Sequence, residues 1–170
     1  MNEAIRNIEP KELWNKFADL NAVPRPSKKE EKVIDFMRNF GENLGLKTLV
    51  DDIGNVIITK PASPGMEDRK AIVMQSHLDM VHQKNNDTDF DFDKQGITMF
   101  VEGDWVKANG TTLGADNGIG VATIMAILES KTIIHPPLEA LFTIDEETGI
   151  VKQIIEKEIA SIIGHLYGMI

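Results

Sequence analysis

The chain has 170 residues, a formal net charge of −9, 42% hydrophobic and 26% charged residues. That is the length and balance of one ordinary globular domain. Its acidity argues against a nucleic-acid partner, which needs a basic face. The absence of cysteine removes disulfides, thiolate metal sites and a cysteine nucleophile. No apolar stretch reaches the roughly 18 residues that suggest a membrane span, and the charged N-terminus lacks the apolar core of a secretion signal. A cytoplasmic protein is expected.

Pro10 to Asn21 reads as a helix with Trp14, Phe17, Ala18 and Leu20 on its apolar side. Pro24 and Pro26 end it. Ser27 is placed to cap a second helix, with Glu30 at the capping-box position and Gly41 or Gly45 at its end. "LKTLVDDIGNVIITK" predicts two strands turning at Gly54–Asn55. "KAIVMQSHLDMV" is a continuous apolar run breaking at Ser76, the pattern of a central strand covered on both faces. "ITMFVEGDWVKANG" predicts a hairpin turning at Glu102 to Asp104. "DNGIGVATIMAILES" predicts a buried helix, apolar nearly all round, and "PLEALFTID" another strand. In the segment after Gly149, Val151, Ile155, Ile159, Ile162 and Leu166 would form the apolar side of a helical tail. Mixed helices and short strands predict an α/β domain, a three-layer sandwich around a mostly parallel sheet.

Three places carry candidate chemistry. His77 and Asp79 stand two apart beyond a strand, so extended backbone points them to one side. A metal-bound imidazole often gives its other N–H to a carboxylate, while a solvated loop pair is the plainer alternative. Asp116 sits where a glycine-rich loop enters a helix. It reads as an N-cap or as a metal ligand in a backbone held closely by Gly114, Gly118 and Gly120. Glu146 and Glu147 follow a strand, either as a solvated acidic turn or as a ligand beside a general base. Ligands gather outside the carboxyl ends of strands in open α/β sheets. His77, Asp79, Glu146 and Glu147 all follow such ends, and Asp116 starts a helix that could face them. Histidine with carboxylates suits zinc, manganese or cobalt.

Asp91 to Glu102 nearly spells a calcium loop, but position 5 is Gln95 and no flanking helices are expected. A surface loop bearing Asp87, Asp89, Asp91 and Asp93 is the preferred reading. His82 is a rim candidate, and His135 sits in a connection before Pro136–Pro137.

The stretches "FADLNAVPRPSKKEEKV", "MQSHLDMVHQKN", "ANGTTLGADNGIGVA" and "LFTIDEETG" together resemble the N-terminal part of the cytosolic aminoacyl-histidine (Xaa-His, nonspecific) dipeptidases, which are co-catalytic zinc peptidases. The resemblance covers roughly residues 10 to 149. It implies a partial zinc-peptidase catalytic domain over 1–149, with 150–170 as a divergent tail. By this resemblance His77 would hold one zinc, Asp116 would bridge two, and Glu147 would hold the other. Asp79 would orient His77. Glu146 would be the general base, and an activated water would cleave a dipeptide. The family also implies a homodimer, a further acidic ligand beyond the glutamate pair, and a histidine ligand near the C-terminus. His165 stands in unlike sequence and does not take that part. With these absent, each metal would keep two protein ligands. The alternative expectation is a non-catalytic chain that binds metal or a partner chain.

Overall fold

The computed structural model describes residues 2–149. The tail positions Val151 to Leu166, and His165, lie outside the described residues. A short α1 (Glu3–Arg6) precedes α2 (Lys11–Asn21), α3 (Glu31–Asn43), β1 (Lys47–Val50), β2 (Val56–Lys60) and β3 (Ile72–His77). The hairpin β4 (Met99–Glu102) and β5 (Trp105–Ala108) follows, then α4 (Ala115–Glu129) and β6 (Leu138–Thr143). Both predicted hairpins form, and every predicted element within these residues is present.

The larger sheet has the order β1-β2-β6-β3. β3 runs parallel to β6, while β1–β2 and β2–β6 are antiparallel. The domain is α/β as expected, but its sheet is mixed rather than mostly parallel. Among the described residues β3 lies at the sheet edge, with Ile72 exposed, while β2 and β6 are each flanked on both sides. An apolar run does not report which strands pair beside it, so the strand expected at the centre stands at the described edge.

Register places Val56 opposite Phe142 and Ile58 opposite Ala140. All four are buried on one face against Val33 and Met37 of α3 and Val121, Met125 and Leu128 of α4. The second helical cover of a three-layer sandwich is not among the described residues. α4 can be apolar nearly all round because α2 packs on it from one side and the sheet from another. A second cluster, Ile5, Phe17, Ala18, Met80, Met99 and Ala122, ties α1, α2 and the β4–β5 hairpin to α4. The two clusters fix the ends of β3, β6 and α4 relative to one another, and those three ends carry the candidate residues.

Candidate metal centre

β3 ends at His77, and the parallel β6 delivers Thr143 beside it. The Leu78 N–H continues the pairing by donating to Thr143 O at 2.7 Å. Both strands then turn at the same sheet end. β3 leads to Asp79 and β6 leads to Asp145, Glu146 and Glu147. The parallel pairing thus brings together side chains almost seventy residues apart in sequence.

Asp79 is fully buried. Its Oδ2 accepts the Ser27 hydroxyl at 2.8 Å and the Glu147 N–H at 3.2 Å. Its Oδ1 accepts the Glu146 N–H at 3.1 Å and lies 3.3 Å from His77 Nδ1. Burial alone would push this carboxyl up, but the donors from His77, Ser27 and the two backbone N–H groups outweigh it and hold it down at about 2. An ionised Asp79 acts as acceptor only. Together with its own carbonyl, 3.1 Å from Nδ1, it keeps the His77 proton on Nδ1.

Nε2 is therefore the nitrogen turned toward the other acids. It lies 3.2 Å from Asp116 Oδ1 and 3.8 Å from Glu146 Oε2. One ligand atom each from His77, Glu146 and Glu147 falls within 4.8 Å of the others. Burial opposes the charged imidazole, while Asp79, Asp116 and Glu146 favour it, and the balance raises His77 above its ordinary value. Glu147 is also raised, first by burial and then by the nearby Asp116, Glu146 and Asp79, against the pull of His77.

Asp116 reaches this place through an irregular entry to α4. The N-cap is Gly114, in the left-handed region at φ 69°, and it makes no side-chain capping bond. Asp116 is non-helical (φ −90°, ψ 113°), and the Asp116–Asn117 peptide is cis. The N-cap alternative is thus replaced by an Asp116 side chain that is 86% exposed and faces His77. Ser76 Oγ donates to Asn117 O at 3.2 Å, fastening this entry to β3. A Cβ on Gly120 would stand 2.7 Å from that hydroxyl and would overlap Asn117 Oδ1, so the approach needs glycine there.

The acidic row that looks self-repelling at 145–147 is split by its turn. Asp145 takes a positive φ of 56° and pairs with Lys28 Nζ at 2.8 Å, while Glu146 and Glu147 lie near His77. Ser27 is not the cap of α3. Glu30 is the N-cap residue, and its Oε1 accepts the Lys28 N–H at 2.8 Å. The Ser27 hydroxyl goes to Asp79 instead, because Ser27 N–H pairs with Met80 O and carries its side chain toward the β3 turn.

Arg25 also belongs to this site. It is buried, and its guanidinium donates to four acceptors around the same turns. The only signal was an arginine between two prolines, followed by serine. The other two described histidines, His82 and His135, are elsewhere. His82 packs edge-on against Phe92, and buried His135 places Nδ1 2.7 Å from Pro136 O. Asp91 and Asp93 engage Lys94 and Lys29 in a surface loop.

The donor set fits a cation. Asp79, Asp116, Glu146 and Glu147 surround one imidazole, and like charges held this close favour a positive ion among them. Nε2 of a neutral His77 and the three carboxylates outside Asp79 are hard or borderline donors, suited to a zinc-like divalent metal.

No family model matches the chain. It is 47% identical over 145 residues to the cytosol non-specific dipeptidase of Escherichia coli (strain K12), covering 85% of this chain and 30% of that protein. The crystal structure of aminoacylhistidine dipeptidase from Vibrio alginolyticus superposes with a TM-score of 0.85 at 47% identity, over 89% of this chain and 31% of that one. Aminopeptidase PepT from Bacillus cereus gives a TM-score of 0.67 at 28% identity, over 85% and 39%. The chain spans about 30% of the length of the dipeptidases it matches. In sequence and in fold, it aligns over most of its own length with the cytosol non-specific and aminoacylhistidine dipeptidases.

Proposed function

We propose that this chain carries part of the metal site of a dipeptidase acting on Xaa-His-type dipeptides. The observation that supports this most is His77 itself. Its Nδ1 is held by ionised Asp79, and its Nε2 faces Asp116 and Glu146. That is the arrangement of an imidazole prepared as a metal ligand.

In this reading His77 and Asp116 hold one zinc, and Asp116 and Glu147 hold a second, with manganese or cobalt as substitutes. When bound, such ions polarise a carbonyl and lower the pKa of water. Asp79 fixes the His77 tautomer and, through two backbone N–H groups, the turn that carries Glu146 and Glu147. Glu146 is half exposed and is the base. It takes a proton from the attacking water as the new C–O bond forms. It returns that proton to the amine nitrogen as the C–N bond breaks. The cytosolic setting in the bacterial relative's name extends to this chain by the same kinship. Purified chain should release free amino acids from an Xaa-His dipeptide when Zn²⁺ or Mn²⁺ is added, and chelation should stop it.

A second reading is metal binding without turnover. Its support is the ligand count, two protein ligands per ion among the described residues where catalytic zinc usually has three. Metal uptake with no hydrolysis under the same conditions selects it over the first.

A further inference from the structure

Arg25 is 1% exposed, one of the largest fully buried side chains among the described residues. It follows Pro24 in the connection between α2 and α3. Its Nη1 donates to Leu78 O at 3.0 Å and Asp79 O at 3.3 Å. Its Nη2 donates to Gly114 O at 2.6 Å and Asn21 Oδ1 at 2.9 Å. Asn21 in turn donates to Leu113 O at 3.0 Å. The backbone around Arg25 pairs with the same turn: Met80 N–H donates to Arg25 O, and Pro26 and Met80 form a parallel bridge. One planar fork therefore spans two loops, which pair with each other only farther along, at the Lys84–Thr111 bridge and through Thr112 N–H to Gln83 O at 2.8 Å. One loop leaves β3 with His77 and Asp79, and the other enters α4 with Asp116.

Several features show that the space is built for this group. Both loops offer carbonyl oxygens, which a guanidinium satisfies in fixed directions and an ammonium does not. Glycines at the end of the second loop and in the first turn of α4 make room for it. A Cβ on Gly114 would overlap Nη2, and one on Gly118 would stand 2.8 Å from it. A buried cation is costly unless well paired. Here its contacts are mainly to backbone, with the Asp79 charge nearby. Packing alone would be served as well by an apolar side chain.

We propose that Arg25 is a positioning residue that locks the His77–Asp79 loop to the Asp116 loop, so that His77 Nε2 and the Asp116 carboxylate stay within reach of one ion. The ion itself rests on the metal-site reading above, but the locking of the two loops does not. Neither residue that Arg25 positions is touched through its side chain. The guanidinium acts wholly through main-chain carbonyls and Asn21.

The test compares the full chain with Arg25→Met, which keeps an apolar stem without donors, and Arg25→Lys, which keeps the charge without the fork. In metal-free protein, NOEs between the His77 imidazole and the Asp116 side chain report the juxtaposition. They should be present in the parent and lost in Arg25→Met, while NOEs within α2, α3 and the sheet persist. Zn²⁺ affinity should fall about 10–100-fold in Arg25→Met. If Arg25→Met does not fold, Arg25→Lys takes its place, with weakened NOEs and roughly tenfold weaker Zn²⁺ binding. A folded variant that keeps the parent's His77–Asp116 NOEs overturns the proposal. A parent chain that binds no Zn²⁺ overturns the metal-site reading alone, and the NOEs still decide for or against Arg25.

Discussion

Asp79 holds the turn that presents Glu146: its Oδ1 accepts the Glu146 backbone N–H at 3.1 Å. The same carboxylate faces His77 Nδ1, so one buried charge sets both the histidine and the acidic pair. Replacing it by asparagine keeps the shape but turns part of the acceptor into a donor, aimed at groups that themselves donate. Asp79→Asn should lower stability by about 2–4 kcal/mol, since a buried group loses its partners. It should also weaken Zn²⁺ binding about 10–100-fold. Denaturant titration and calorimetry measure the two effects separately.

Acid should act on the metal-free chain through the same residue. Asp79 is held at about 2 in the folded chain against an ordinary 3.8, so folding favours its ionised form. Its contribution is complete above about pH 4 and disappears as pH falls toward 2. On the order of 1–2 kcal/mol is lost across that window. Asp79→Asn should show a shallower loss of stability over the same range, measured by urea unfolding at stepped pH.

Ser27→Ala should cost about 1.5–3 kcal/mol, the range for a hydrogen bond to a charged acceptor. If Ser27 merely capped α3, its removal would fray that helix and leave the His77 resonances unmoved. The bond to Asp79 predicts the reverse, with the His77 imidazole shifts moving and the α3 amide shifts largely unchanged.

Gly114→Ala should destabilise by about 2 kcal/mol or more. Its φ of 69° costs a residue with a Cβ roughly 1–2 kcal/mol, and the added carbon would also meet Arg25 and Met80. Gly65→Ala, also at positive φ but with open space around it, should cost only the backbone part. The difference between the two melting temperatures isolates the crowding.

Glu146 and Glu147 are neighbours with different proposed work, and amides separate them. Glu146→Gln should leave Zn²⁺ binding within a few fold and lower turnover by about 10²–10⁴, the worth of a general base. Glu147→Gln should weaken metal binding first. Paired calorimetry and dipeptide hydrolysis on each variant give the comparison.

The elements of this chain are legible because their signals are local. Periodicity marks α2, α3 and α4, and Gly54–Asn55 and Gly103 mark the hairpins. The sheet order is not local. β3 reads as the central run, yet it pairs with β6 alone, and β2 and β6 are the inner strands among the described residues. At the site, His77, Asp79, Asp116, Glu146 and Glu147 stand out because unpaired acids and a histidine at strand and helix ends are costly without a use. Ser27 and Arg25 escape notice for the opposite reason. Serine before a helix has an ordinary local explanation in capping. A buried arginine whose partners are distant carbonyls leaves no trace in the sequence around it.

In the proposed function His77, Asp116 and Glu147 hold divalent metal with Asp79 behind the histidine. Isothermal titration of Zn²⁺ into the metal-free chain tests it most directly, run beside His77→Ala and Asp116→Ala. Saturable binding by the parent chain, lost or weakened at least 100-fold in both variants, is the predicted result. Binding that is absent from the parent, or unchanged in the two variants, would contradict it.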